Sequence, residues 1–122
     1  MSLLLIDKSA YVRGELKGSE DDELCVCAVT RLELLYSARS SEDYQLLEDD
    51  LAYFRDLRMD AETFAVALSA QRELASHGKH RVPIPDLLIA SCAQQHGADV
   101  VHVDRDYDTL SEVPVFGSRR LD

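Results

Sequence analysis

Short apolar runs separated by helical patterns constrain the fold of this chain more than any other feature of its sequence. Residues 3–6, 24–29 and 99–103 form such runs, which consist mainly of Leu, Ile, Val and Cys. Strands of a parallel sheet have this composition because helices cover both faces of the sheet. The order of the segments therefore predicts an α/β fold, with helices on both sides of a central parallel sheet of four to five strands.

The segments between the runs contain signals for helix starts and ends. Ser9 is placed to cap a first helix, and Thr30 with Glu33 has the spacing of a capping box that opens a second one. Pro85 fits the first turn of a later helix, which Gly97 ends. We expect helices over residues 9–17, from residue 30 onward, and over 41–56, 62–76 and 86–96, with short strands over 57–59 and 113–116.

Acidic residues dominate the charge of the chain. There are 23 acidic and 13 basic residues, which gives a formal net charge of -10. This balance argues against indiscriminate electrostatic binding to nucleic acid or to anionic membranes, since both are negatively charged. No apolar run approaches the roughly 18 residues of a membrane span, and the first residues lack the basic start of a signal peptide. We expect a single cytoplasmic domain over residues 1–122.

The three cysteines, an odd number, do not indicate a disulfide framework. Two of them form a Cys-x-Cys pair inside an apolar run, which lacks the spacing of a zinc site. We therefore predict that Cys25, Cys27 and Cys92 are buried free thiols that pack as small apolar side chains.

Four acidic residues lie where open α/β sheets bind ligands, beyond the carboxyl ends of the strands. They are Asp7 after the first run, Glu33 after the second, Asp86 at a helix start and Asp104 after the last run. Parallel topology would bring them to one edge of the sheet. Each also has a purely structural interpretation: a strand-end turn for Asp7, the capping box for Glu33, the helix dipole for Asp86 and a loop acid for Asp104.

Carboxylates crowded at one edge repel one another unless a counter-charge is present. A hard divalent cation with oxygen ligands, Mg²⁺ or Mn²⁺, is the usual solution. Such a cation would also explain how an acidic protein acts on a phosphodiester, because it bridges enzyme and phosphate and makes a bound water more acidic. If the four acids converge, we expect metal-dependent phosphodiester chemistry.

Four segments, taken in order, resemble those of the PIN-domain ribonucleases. They are Asp7-Lys8-Ser9-Ala10 after the first strand, Thr30-Arg31-Leu32-Glu33-Leu34, Ile84-Pro85-Asp86-Leu87-Leu88-Ile89-Ala90 and His102-Val103-Asp104-Arg105-Asp106-Tyr107-Asp108. They span nearly the whole chain, whose length and arrangement look like the VapC toxin branch of bacterial type II toxin–antitoxin systems. The resemblance implies a PIN-like three-layer α/β/α fold and a Mg²⁺- or Mn²⁺-dependent endoribonuclease that acts on tRNA or rRNA. It also implies a homodimer and inhibition by a VapB-type antitoxin.

The resemblance further implies roles for individual residues. The catalytic acids would be Asp7, Glu33, Asp86 and Asp104; the metal ligands would be Asp7, Asp86 and Asp104, with Asp106 as an additional acid near the metal; and Ser9 would support Asp7. Lys8 departs from the family pattern, in which Thr is more common, and we expect its side chain to leave the strand end opposite Ser9. Basic residues near the acids, Arg13, Arg31 and Arg105, are predicted to contact RNA.

Two other functions stay open at this point. One is a PIN-type nuclease that processes RNA outside a toxin–antitoxin system. The other is a catalytically silent acidic binding module. Loss of one acid would indicate a silent member, and all four are present, which favours activity. A neighbouring upstream gene for a small basic DNA-binding protein would distinguish a toxin from a housekeeping nuclease.

Overall fold

A computed structural model describes residues 2–13, 21–102 and 118–120, with residues 13 and 118–120 described by their backbone alone. Its five strands form one parallel sheet in the order β3–β2–β1–β4–β5. The strands are β1 Ser2–Ile6, β2 Asp22–Val26, β3 Arg55–Asp56, β4 Ala98–His102 and β5 Ser118–Arg120. The helices of the described part are α1 Lys8–Arg13, α2 Ala28–Tyr36, α3 Ser41–Leu51, α4 Ala61–Ser76 and α5 Ile84–His96. The predicted α/β class is confirmed.

The two faces of the sheet are covered by different helices. On one face, Leu5, Cys25 and Val100 belong to the largest apolar cluster, to which α4 and α5 contribute Ala70, Leu74, Leu87 and Ile89. On the other face, Ile6 and Val101 cluster with Ala10 of α1, and Val26 clusters with Leu34 and Leu51 of α2 and α3. Alternate residues of each strand therefore point to opposite layers. The expected three-layer α/β/α arrangement is confirmed.

The junction between β2 and α2 differs from the prediction. β2 ends at Val26, Cys27 is the N-cap, and α2 already includes Ala28 and Val29. The strand predicted over residues 24–29 was therefore too long, because the apolar run continues without interruption from strand into helix. The predicted capping box was wrong for the same reason. Thr30 is the third residue of α2 and is fully buried, so it does not cap the helix.

The start of α1 also differs, because Asp7 and not Ser9 occupies the capping position. The helix begins at Lys8, and the carbonyl oxygen of Asp7 accepts the backbone N–H groups of Ala10 and Tyr11 at 3.1 and 3.0 Å. Ser9 is inside the first turn. Residues 14–20, which include most of the predicted remainder of this helix, lie outside the described residues.

The observed bounds of α3 and β3 differ from the predicted ones. The helix predicted over 41–56 ends at Leu51, and the strand predicted over 57–59 lies two residues earlier, as the short exposed β3. β3 has little apolar content, so hydrophobicity does not reveal it. The strand predicted over 113–116 falls outside the described residues, whereas β5 was not predicted.

α4 and α5 pack antiparallel to one another. At one end, Asp60, the N-cap of α4, forms a capping box with Thr63. Nε2 of Gln95, near the end of α5, donates to Asp60 Oδ1 at 2.8 Å, and His96 Nε2 lies 2.8 Å from the carbonyl oxygen of Arg58. The start of α4 is thus fixed to the end of α5, and the end of α4 lies toward the start of α5.

Gly97 links α5 to β4 in a single residue. It has a left-handed backbone, with φ of 68°, which glycine adopts without strain. The chain therefore reverses sharply, and α5 runs antiparallel to β4. Among the described helices, none is both long enough and apolar enough to cross a membrane.

Candidate active site at the carboxyl edge of the sheet

Asp7 lies at the end of the central strand β1 and is buried, with 3% of its surface exposed. Its backbone N–H donates to the carbonyl oxygen of Val101 at 3.0 Å, so its position is fixed against neighbouring β4. Its Oδ2 accepts from the backbone N–H of Ser9 at 3.1 Å and from the Ser9 hydroxyl at 2.7 Å. The supporting role predicted for Ser9 agrees with this contact.

Asp86 is brought to the same edge by the reversal at Gly97. It is the third residue of α5, after Pro85 in the first turn, and it is 7% exposed. From His96 back to Asp86 the helix rises about 15 Å, and β4 extends about 13 Å from Ala98 to His102. Asp86 therefore lies level with the carboxyl end of β4, beside the strand that fixes Asp7.

Glu33 lies in the second turn of α2 and is half-buried. It lines a pocket of about 360 Å³ together with Lys8, Tyr36 and Ser37. Because the capping box with Thr30 is absent, the structural interpretation that competed with a catalytic role for Glu33 does not apply. Lys8, the residue that departs from the family pattern, shares this pocket with Glu33, so a cation borders the third carboxylate.

The fourth predicted acid, Asp104, lies outside the described residues, as do Asp106 and Arg105. β4 ends at His102, so the chain enters this segment beside Asp7. Within residues 2–13 and 21–102, no group of three His, Cys, Asp or Glu side chains could hold a metal ion by itself. A site of three carboxylates at this edge therefore needs an acid from outside the described residues, and Asp104 is the predicted one.

The chemistry of these side chains fits a hard divalent cation. Asp7 and Asp86 are carboxylates buried at the end of a parallel sheet, and burial of an ionised carboxylate is costly without a compensating charge or hydrogen bonds. Oxygen-only ligand sets favour Mg²⁺ and Mn²⁺ over zinc or copper. Cys25 lies in β2, Cys27 at the N-cap of α2 and Cys92 inside α5, and all three thiols are buried and free, as the sequence predicts.

Two of the predicted RNA-binding arginines can be placed in part. The Nε atom of Arg31 lies 3.5 Å from Asp56 Oδ1, so its guanidinium faces a carboxylate on neighbouring β3. Arg13 ends α1, and its side chain is outside the described part. The ion pair of Arg31 competes with a phosphate contact, and RNA binding by both residues stays a prediction.

A thiol pair behind the site was not predicted. Cys27 caps α2 and Cys92 lies inside α5; both are fully buried, and their side chains hydrogen-bond to each other. That bond, together with the Thr30 hydroxyl and the N–H groups of Thr30 and Val29, lowers the pKa of Cys27 to about 7 despite its burial. Cys27 makes no capping hydrogen bond of ordinary geometry, so the N–H groups act on the thiol mainly through their dipoles.

Cys92 shows the opposite shift. Its hydrogen bond with Cys27 and its burial raise its pKa above the ordinary range of a thiol. Its sulfur also lies 3.6 and 3.7 Å from the carbonyl oxygens of Leu57 and Arg58, which accept from the protonated thiol. The pair joins the start of α2 to the middle of α5, the two helices that contain Glu33 and Asp86. No spacing in the sequence indicates this contact between residues so distant in the chain.

His102 is a buried histidine at the end of β4 to which the sequence analysis assigned no role. It is the last residue of β4 and has no exposed surface. It follows Val101 in the chain, and the carbonyl oxygen of Val101 accepts the backbone N–H of Asp7. A histidine at the end of an apolar strand gives no signal that separates it from a core residue.

Comparison with known sequences places the chain near a defined group of proteins. The model of the PIN domain family matches residues 4–113. Ribonuclease VapC17 from Mycobacterium tuberculosis is 39% identical over 120 residues, an alignment that covers 93% of this chain and 90% of that protein. Ribonuclease VapC18 from the same organism is 42% identical over 95 residues, which cover 75% of this chain and 69% of that protein.

Solved structures show the same fold at low sequence identity. The VapBC2 complex from Rickettsia felis, bound to a DNA fragment from its promoter, contains a chain that matches with a TM-score of 0.79 at 19% identity. That alignment covers 98% of this chain and 99% of the other. A chain of VapBC-5 from Mycobacterium tuberculosis matches with a TM-score of 0.77 at 20% identity and covers 99% of this chain and 100% of the other.

Proposed function

This chain belongs to the PIN domain family, in the VapC ribonuclease group, and we propose that it is a metal-dependent endoribonuclease, the toxin of a type II toxin–antitoxin pair. The observation that carries the proposal is the burial of two carboxylates, one at the carboxyl end of β1 and one in the first turn of α5. Asp7 and Asp86 are 3% and 7% exposed and come from different elements. The carboxyl edge of the sheet is where ligands bind in open α/β sheets.

In the proposed site, Asp7, Asp86 and Asp104 would hold Mg²⁺ or Mn²⁺, with Asp106 as an additional acid. When bound, the cation supplies Lewis-acid chemistry at a phosphodiester and makes a coordinated water more acidic. Ser9 positions Asp7 through its two hydrogen bonds to Oδ2. Burial excludes bulk water from both carboxylates, which strengthens their interaction with a cation.

Glu33 orients the attacking water from the α2 side of the site. Its half-buried position on α2 leaves it more accessible than the two aspartates. Lys8, in the same pocket, gives this side of the site one positive charge that faces substrate phosphate. We place Arg105, Arg13 and Arg31 along the path of the RNA strand.

The proposed partners follow from the same relatives. The structural neighbours are chains of VapBC complexes, one of which is described as a member of a family of toxin-antitoxin systems. A VapB-type antitoxin is therefore the proposed inhibitor of this chain. A protein with a net charge of -10 is complementary to a basic segment, one of whose Arg or Lys side chains could enter the acidic edge. We also propose a homodimer that acts in the cytoplasm on tRNA or rRNA.

The function is tested by RNA cleavage with purified full-length protein in Mg²⁺, in Mn²⁺ and in EDTA. We expect cleavage with either metal and none in EDTA. The Asp86→Asn protein should lose at least ~10²-fold in rate, since even second-shell partners of a metal contribute 10–100-fold. Asp49→Asn is the matched control, because it makes the same change at an exposed carboxylate on α3. Cleavage that persists in EDTA, or equal loss in both variants, would contradict the proposal.

A further inference from the structure

The end of α4 and the connection that follows it expose a group of basic side chains on an otherwise acidic molecule. Arg72 lies on the last turns of α4, and Lys79, His80 and Arg81 follow in the connection; all four are exposed. We refer to these four residues as the basic ridge. The formal net charge of the whole chain is -10, so the sign of the charge in this region is opposite to that of the molecule as a whole.

The antiparallel packing of α4 and α5 places the basic ridge at the edge of the candidate active site. The start of α4 is fixed to the end of α5 by the hydrogen bond from Gln95 to Asp60. The end of α4 therefore lies at the opposite end of α5, where Asp86 is located. Backbone N–H of Lys79 donates to the carbonyl oxygen of Leu74 at 2.8 Å, which folds the connection back over the end of the helix.

The arginines of the basic ridge differ in their surroundings from Arg31, Arg55 and Arg58. Arg31, Arg55 and Arg58 each lie within 3.5 Å of a carboxylate oxygen. Neither Arg72 nor Arg81 has a carboxylate ion-pair partner within the part of the chain that the structure describes. In a chain with 23 acidic residues, two exposed guanidinium groups without an ion-pair partner among the described carboxylates are available to an external anion.

The helix dipole does not explain this arrangement, because the last turn of α4 contains no basic residue. Cations stabilise the last turn of a helix, and the effect falls off beyond that turn. Arg81 follows the end of α4 at Ser76 by five positions, so the dipole does not account for it. Arg81 precedes Asp86 by the same number of positions, which places it on the approach to the buried carboxylates.

A groove next to the basic ridge has the chemistry of a nucleic-acid surface. It has a volume of about 560 Å³ and is lined by Leu68, Ser69, Gln71, Arg72, Ala75 and His80. Its side chains combine a cation and an imidazole for phosphate with hydroxyl and amide groups that hydrogen-bond to sugar or base. Leu68 and Ala75 supply an apolar surface for a base or ribose.

We propose that the basic ridge and its groove bind the phosphate backbone of RNA and position the strand for cleavage at the Asp7–Asp86 edge. The inference rests on the proposed function, because it takes RNA as the substrate. Arg72 and Arg81 are positioning residues that contact the strand away from the scissile phosphate. Their loss lowers RNA affinity and leaves the chemical step intact.

The test uses the full-length chain and a fluorescently labelled single-stranded RNA. Binding is measured by anisotropy between 50 and 200 mM KCl in the cleavage-blocked Asp7→Asn protein, with and without Arg72→Gln and Arg81→Gln. We expect the double substitution to weaken binding about tenfold or more. It should also reduce the slope of log K against log salt by about 1.4, since each phosphate contact on a single strand contributes about 0.7.

Arg39→Gln is the matched control. Arg39 is exposed and lies beyond the end of α2, which starts at the carboxyl edge and runs to the opposite edge of the sheet. The substitution removes one guanidinium charge far from the site, and we expect RNA affinity and salt slope to stay unchanged. In otherwise active protein, the double substitution should raise KM for RNA while kcat stays within about twofold.

The outcomes separate this inference from the proposed function. If the wild-type protein cleaves RNA and the double variant binds with unchanged affinity and salt slope, the basic ridge is not an RNA site. If the double variant keeps RNA binding but loses binding to a poly-glutamate peptide, the surface is for an acidic protein segment and the inference is overturned. If the wild-type protein neither binds nor cleaves RNA in Mg²⁺ or Mn²⁺, the proposed function fails, and the inference with it. Thermal melts establish that every variant is folded.

Discussion

Asp7 and Asp60 each follow a strand and precede a helix. In both, a side-chain carboxylate oxygen accepts the backbone N–H of the residue two positions later, at a distance of 3.1 Å. Their surroundings differ. Asp60 is half-exposed and also binds Gln95 and Arg58, which ties α4 to α5. Asp7 is buried at the end of the central strand, where its backbone N–H donates to β4. The same local motif is thus a structural cap in one place and part of a candidate active site in the other.

The role of an aspartate at a helix start, structural or catalytic, is therefore determined by its neighbours that are distant in the chain. For Asp60, the hydrogen bond from Gln95, then those from Arg58 and the backbone of Glu62 and Thr63, hold the pKa of the carboxyl below its usual value. These partners stabilise the fold and satisfy the charge. At Asp7, sheet topology brings a second buried carboxylate to the same edge, which is an arrangement that a cation stabilises.

The largest expected difference between the two regions is the response to metal. Mg²⁺ or Mn²⁺ at about 100 times its Kd should stabilise the wild-type protein by about 2.7 kcal/mol, which raises Tm by on the order of 10 °C. Asp60→Asn should keep this metal-dependent shift, and Asp7→Asn should lose most of it. Differential scanning fluorimetry with and without metal measures both. Equal shifts in the two variants would show that the cation binds elsewhere.

Removal of the cap at Asp60 should have the next largest effect, this time on stability alone. Asp60→Ala deletes the hydrogen bonds to Gln95, Arg58 and the first turn of α4, so we expect Tm to fall by several degrees without metal. Since its folded pKa lies below the unfolded value, the contribution of Asp60 is present above about pH 4. It is lost as the pH falls further, and the difference between wild-type and Asp60→Ala protein should shrink there. A constant difference down to pH 2 would contradict the assigned contacts.

The thiol pair between the two regions predicts a smaller, pH-dependent effect. With the pKa of Cys27 lowered to about 7, native protein loses this proton before the unfolded chain does, so stability rises between about pH 7 and 9. The raised pKa of Cys92 acts in the opposite sense, and stability should fall above about pH 9. Cys27→Ser should remove the rise, which we expect to be on the order of 1 kcal/mol.

Urea unfolding at pH 6, 8 and 9.5 tests this expectation, with Cys25→Ser as the control. Cys25 is equally buried, but burial raises its pKa, so its replacement should not abolish the rise between pH 7 and 9. An identical pH profile for wild-type and Cys27→Ser protein would rule out the lowered pKa of Cys27.

The smallest expected effect concerns Tyr11, on the helix that Asp7 caps. Its hydroxyl donates to Asp50 Oδ2 on α3, and its ring packs edge-on against Phe54 at 6.3 Å between centroids. Tyr11→Phe should lower the free energy of unfolding by about 0.5–1 kcal/mol and leave the cleavage rate unchanged. Burial and the Asp50 carboxylate raise the pKa of Tyr11 to about 12, so this contribution is present below about pH 10 and is lost as the pH approaches 12. A large loss of cleavage would place Tyr11 in the site instead.

The sequence predicted most of the sheet because its strands are apolar runs bounded by clear signals. Pro85 and Gly97 marked α5 almost to the residue. Where polarity changes little, as from β2 into α2, the boundary was missed and a capping box was assigned inside the helix. The short, exposed β3 gave no hydrophobic signal.

The same limits apply to the site. The positions of Asp7 and Asp86 at the carboxyl edge followed from parallel topology, which strand order makes predictable. The contacts that distinguish Asp60 from Asp7 could not be predicted, because Gln95 is distant from Asp60 in the chain and is brought near only by the packing of α4 on α5. The bond between Cys27 and Cys92 depends on tertiary packing in the same way.

The central claim is that the buried carboxylate at the end of β1 is catalytic, whereas its structural counterpart before α4 is not. The most direct measurement compares RNA cleavage by wild-type, Asp7→Asn and Asp60→Asn protein in Mg²⁺ and Mn²⁺, at a temperature where all three are folded. We predict a loss of at least ~10²-fold for Asp7→Asn and a rate within about twofold of wild type for Asp60→Asn. Equal rates for wild-type and Asp7→Asn protein, or an equal loss in both variants, would contradict the account.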